Sequence, residues 1–204
     1  MNCWRHAVYK ALARLTAASA IALVPFFPSA LMADECPAER ALYSLDTEDG
    51  RLELGFARAQ NYASIASDLY LYLTTTQRTY WFTFSVSNGY SGMTLLPVTD
   101  PTRADAKPDG PRELIDLSSG DEAMHDVLRA LRFYALDQDF TFWFEPPMSG
   151  EPAPAYVMVP EIGLALWYGA GDLTDDLNAD RDPVPRGVFQ PEVCLDTLPP
   201  PTWP

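Results

Sequence analysis

Residues 78–98 read RTYWFTFSVSNGYSGMTLLPV. Tyr80, Phe82, Phe84 and Val86 share one face of an extended chain, and Trp81, Thr83 and Ser85 share the other, because strand side chains alternate with a period of two. Asn88-Gly89 supplies residues that tolerate the left-handed backbone of a tight turn. The stretch therefore predicts a β-hairpin, and the fold is read outward from it.

Upstream, Leu69, Leu71 and Leu73 alternate with Tyr70 and Tyr72, and Leu52, Leu54 and Phe56 alternate with Glu53 and Gly55, giving further strands. Between Pro97 and Gly120 the composition turns to Pro, Asp, Gly, Ser and Thr, which marks an exposed loop. A helix is expected next. Ser119 is placed to cap it, with Glu122 as the reciprocal partner. Met124, Val127, Leu128, Leu131 and Ala135 recur at helical spacing, with Asp126, Arg129 and Arg132 outward. The period returns to two at DFTFWFE, where Phe140, Phe142 and Phe144 line one face, and AYVMVP and IGLALWYG read as two more strands. From Gly169 the chain is acidic and Pro-rich. It ends in LPPPTWP, an extended tail whose Trp203 is expected to pack on its own domain.

Six or so strands with one amphipathic helix predict an α+β domain: an antiparallel β-sheet with the helix packed on one face. The alternative is a β-sandwich with an inserted helix. Residues 34–204 suit a single domain.

Arg5, Lys10 and Arg14 open the chain, Leu15 to Met32 carry no charge, and small residues stand at Ala30 and Ala33. This order predicts a secretory signal peptide over residues 1–33, cleaved after Ala33, with Ala30 the second choice. Pro25 and Pro28 interrupt the apolar run and no basic residue follows it, which argues against a membrane anchor. Cys36 follows Asp34 and Glu35, a context unsuited to lipid attachment. The expected location is secreted or periplasmic, without stable membrane insertion after cleavage. There Cys36 and Cys194, the two cysteines left, should form a disulfide. Cleavage leaves 28 acids against 11 bases, a formal charge of −17. A polyanion is repelled by phosphate backbones, so nucleic-acid binding is excluded.

Candidate chemistry is sparse. Asp176, Asn178, Asp180 and Asp182 alternate like the first ligands of a calcium loop. Arg181 stands where that loop needs glycine, and Gly187 where it needs a closing carboxylate. At most a weak Ca2+ site, completed by Asp172 or Asp175, is expected, and a solvated acidic turn is the plainer reading. No other cofactor is implied. His125 is the single histidine beyond Ala33, and Ser91 lacks a nucleophile-elbow context, so a serine hydrolase is disfavoured. Asp137, Asp139 and Glu145 flank aromatic residues, the minimum for a carboxylate-dependent hydrolase such as a glycosidase. Tyr70, Tyr72, Trp81 and Trp143 lie opposite the more apolar strand faces. They are either core or a recognition surface for a protein or small polar ligand. The leading expectation is an exported, non-catalytic binding or structural domain, with the carboxylate hydrolase as its rival.

Overall fold

The alternation around Tyr80 becomes strand β4 (Thr79–Val86) in the computed structural model, which describes residues 36–87, 92–103, 110–116 and 122–202. The other strands are β1 (Ala41–Thr47), β2 (Gly50–Arg58), β3 (Leu69–Thr74), β5 (Met93–Val98), β6 (Arg132–Leu136), β7 (Tyr156–Met158) and β8 (Gln190–Cys194). All eight form one sheet in the order β7-β6-β5-β4-β3-β2-β1-β8, and each neighbouring pair is antiparallel. Just ahead of β8, Phe189 exchanges both backbone hydrogen bonds with Val157 of β7, at 2.9 and 3.1 Å. The sheet thereby curls into a nearly closed barrel, which removes most exposed strand edge.

The inward set is the one the period predicts. Leu54, Phe56, Leu71, Leu73, Phe82, Phe84 and Leu95 are buried in one cluster with Tyr43 and Phe133. Phe56 meets Tyr43 and Phe133 edge-on, and Phe133 meets Phe84 at 5.1 Å. Each such side chain contributes roughly 1.5–3 kcal/mol on burial.

Helix α1 (Glu122–Ala130) occupies the segment expected to be helical but stops earlier than the apolar spacing suggests. Leu131 lies between elements and lends its carbonyl to the Leu95 amide, and Ala135 faces the core from β6. IGLALWYG is not a strand. It forms α2 (Ile162–Gly169), continued by a 3-10 turn at Ala170–Leu173. Ile162, Ala165, Leu166 and Leu173 enter the core, while Leu164, Trp167 and Tyr168 face outward. Gly163 explains how tightly this helix is packed: a Cβ there would overlap the Val184 carbonyl.

DFTFWFE is not a full strand either. Asp137 to Thr141 form a turn, and only Phe142 bridges back to Leu136. β1 and β8 fall in segments without a clear alternating signal. The Asn88-Gly89 turn and the Ser119 cap lie outside the described residues, although Val86 and Met93 pair directly across the predicted hairpin.

Cys36 and Cys194 are disulfide-bonded, with Cα atoms 5.8 Å apart. The C-terminal tail returns to the body, where Thr202 donates its amide to Arg58 and accepts that of Gln60. Trp203 lies outside the described residues. Among the described residues no helix is long and apolar enough to cross a membrane.

Candidate functional site

The outer face of β3, β4 and β5 carries a cleft of about 880 Å³. Strand register builds its floor. Leu71 pairs with Phe82 and Thr83 pairs with Leu96, so Tyr70, Thr83 and Leu96 form a cross-strand row. Ser85 and Val98 extend the floor to either side. Tyr70 is buried at 1% exposure, and loss of water pushes its phenol up to about 12, assisted by the neighbouring Tyr62.

Three loops wall the cleft, each fixed by identifiable bonds. Residues 110–114 run beside the part of β5 that β6 leaves unpaired: Thr99 donates its amide to Arg112, Leu114 donates to Pro97, and Val98 bridges Glu113. At the second wall, the Ser64 hydroxyl accepts the amides of Ala66 and Ser67, a side-chain turn that leaves Ile65 fully exposed. The third wall, Glu145 to Met148, is tied to the second. Buried Ser67 donates its hydroxyl to Pro147 O at 2.7 Å and accepts the Leu69 amide at 3.0 Å. Asp68 accepts both the amide and the hydroxyl of Ser149. The clamp holds two loops on a rigid sheet.

The aromatic residues singled out by alternation separate into three settings. Tyr70 lies in the cleft floor. Tyr72 and Trp81 pair across β3 and β4 with ring centroids 5.4 Å apart, both half-buried. Tyr72 covers Gly55 on β2, where no side chain competes for the space. Burial, with Glu53 adding to it, raises the Tyr72 phenol. Trp143 is on the opposite side, packed against the main core. The cleft was not legible because Glu113, Ile65 and Pro146 join it through loops that have no sequence period.

The candidate acids divide as well. Glu145 lines the cleft with Glu113, and both are exposed. Asp137 stands elsewhere, accepting the amides of Asp139 and Thr141 at 2.9 and 2.8 Å, a turn-forming role. His125 lies in α1 and Ser91 outside the described residues.

The alternating acids at 176–182 do not converge. Asp176 faces Arg78 at 3.3 Å and accepts the Asn178 amide, and Asp180 is exposed. Asp182 corrects the solvated-turn reading. It is buried at 1% exposure and accepts hydrogen bonds from Thr75 at 2.6 Å and Tyr80 at 3.0 Å. Arg181 stacks over Trp167 at 5.1 Å instead of facing the acids. Among the described residues no cluster of three or more potential metal-ligating side chains is formed.

Comparison with known protein families, curated proteins and solved structures gives no match.

Proposed function

We propose that this chain is an exported, non-catalytic domain that binds a protein segment or a small polar ligand in the cleft over β3, β4 and β5. The carrying observation is that cleft: about 880 Å³, with a sheet floor and two loop walls clamped through Ser67 and Asp68. Its size falls in the range of small-ligand sites, and its floor mixes apolar Leu96 and Val98 with the hydroxyls of Thr83 and Ser85. Export rests on the basic and apolar order of the first 33 residues, and the Cys36–Cys194 disulfide is consistent with an oxidising compartment.

Glu113 and Glu145 on one cleft keep the carboxylate hydrolase as the second reading. A general acid generally needs a desolvated carboxyl, and both of these stand in water, which favours binding.

Protein-observed NMR of the nitrogen-15-labelled chain with a panel of small polar compounds tests the proposal. Hits should perturb the amides of Thr83, Ser85, Leu96 and Glu113, and Leu96→Trp should abolish them by filling the cleft. Perturbations spread over other surfaces would refute the cleft. Turnover of a glycoside that stops in Glu113→Gln or Glu145→Gln would replace binding by hydrolysis.

A further inference from the structure

A second surface, on β6, β7 and the turn between them, has a different chemistry. Leu136 is directly opposite Tyr156 on one side and Phe142 on the other, so three side chains lie abreast on the outer face. Tyr134 meets Phe142 edge-on at 5.7 Å, and Phe140 stacks flat on Tyr156 at 5.0 Å and 10°. Leu136 is covered, whereas Phe140, Phe142 and Phe144 remain 63%, 50% and 80% exposed.

Two further facts point to an occupant. Phe140 has φ of 61°, a conformation natural to glycine and rare for a bulky side chain. Its amide bonds to Asp137 O, so it occupies the left-handed position closing a short hairpin turn, where glycine is the usual choice. A strained backbone is thus retained with a ring that stays largely in water. Strain of this kind clusters at binding sites. The second fact is charge. From Phe133 to Asp180 the chain has nine carboxylates and no Lys, Arg or His. Asp137 and Asp139 lie in the same turn as Phe140, and neither forms an ion pair with a described residue. Arg132, on the face of Tyr134, already has a partner.

We propose that this acidic aromatic platform docks an arginine-rich segment of a partner protein. Open ring faces attract a cation through their quadrupole, and surrounding carboxylates add long-range attraction. Guanidinium suits the site better than ammonium because it is planar, stacks on rings and sheds water more readily. The proposal is independent of the cleft.

The test is a fluorescence-anisotropy titration of the disulfide-bonded protein with two labelled peptides, one alternating Arg with Gly and one alternating Lys with Gly. The Arg peptide should bind more tightly by roughly two- to fivefold, the worth of one exposed cation–ring contact. Phe140→Gly should erase that preference while its melting temperature stays or rises. Phe144→Ser, which leaves the turn backbone alone, should reduce the preference. Asp139→Asn should weaken both peptides more than Glu53→Gln, an equal charge change elsewhere. Equal Arg and Lys affinity, a preference surviving Phe140→Gly, or equal losses in the two charge variants would overturn the proposal. So would tighter binding of a neutral oligosaccharide than of the Arg peptide, or a lowered melting temperature in Phe140→Gly, which would make the ring structural.

Discussion

Phe140 shows how a single residue separates stability from recognition. Its left-handed backbone costs about 1–2 kcal/mol relative to an ordinary conformation. Stacking on Tyr156 returns roughly 0.5–1.5 kcal/mol. Phe140→Gly should therefore leave the unfolding free energy unchanged or raise it by up to about 1 kcal/mol, where Phe→Gly in the core would cost several. Urea denaturation decides it, and a loss of stability would mean the ring is structural. The buried phenols make a second residue-scale prediction. Burial raises Tyr43, Tyr70 and Tyr80, and the Asp182 carboxylate, which accepts the Tyr80 hydroxyl, raises Tyr80 further. An acid whose folded value lies above its unfolded value stabilises the fold fully below the unfolded value, near 10, and loses that contribution as pH climbs towards the folded value. For Tyr70 the loss spans pH 10 to about 12. Denaturation midpoints should fall across that range, and a flat profile would contradict the burial of these phenols.

At the scale of elements, legibility followed periodicity. The strands around Leu54, Leu71 and Phe82 were readable because polar or aromatic residues alternate with aliphatic ones and one side faces the interior. IGLALWYG offered no such contrast. Its apolar side chains surround the helix, so helix and strand periods both fit, and only tertiary packing of Ile162, Ala165 and Leu166 decides. DFTFWFE alternates correctly, and Phe140, Phe142 and Phe144 do lie outward while Trp143 packs on the core, but a turn at Asp137–Thr141 intervenes before pairing can extend. The candidate cleft depended on loops and was hidden for that reason. Helix α2 is also the element most sensitive to one methyl group. Gly163→Ala drives a Cβ into backbone rather than a flexible side chain, so it should lower stability by about 1–3 kcal/mol despite alanine's better helix propensity. A neutral or stabilising result in a thermal melt would show that residues 182–184 yield easily. The neighbouring loop carries the calcium prediction. With Asp182 engaged by Thr75 and Tyr80 and Asp176 facing Arg78, calorimetric titration should find no micromolar calcium site. Micromolar heat that vanishes in Asp176→Ala/Asp180→Ala would overturn it.

The whole molecule is a strand-ordered sheet whose last strand closes the circle, and the disulfide sits at that closure. β8 is a weak strand: Gln190, Glu192 and Val193 are exposed, and its register against β1 shifts between Leu42 and Tyr43. Ala41 pairs with Cys194, and Arg40 hydrogen-bonds through its guanidinium to the Leu195 carbonyl, so the covalent link lies beside the last pairs of this seam. The Cys36–Cys194 bond spans 158 residues, and in the chain-entropy model such a loop restricts the unfolded chain by about 5 kcal/mol. Cys36→Ala/Cys194→Ala should therefore lower the unfolding free energy by several kcal/mol, mostly through the unfolded state. The folded variant should also open locally. Hydrogen exchange should accelerate first at the amides joining β1 to β8 and at the Val157–Phe189 bridge, while β3 and β4, each paired on both sides, stay protected to the global limit. Uniform acceleration in every strand would mean that the barrel opens only as a unit. Unchanged exchange at the seam would show that β8 holds its place without the covalent link.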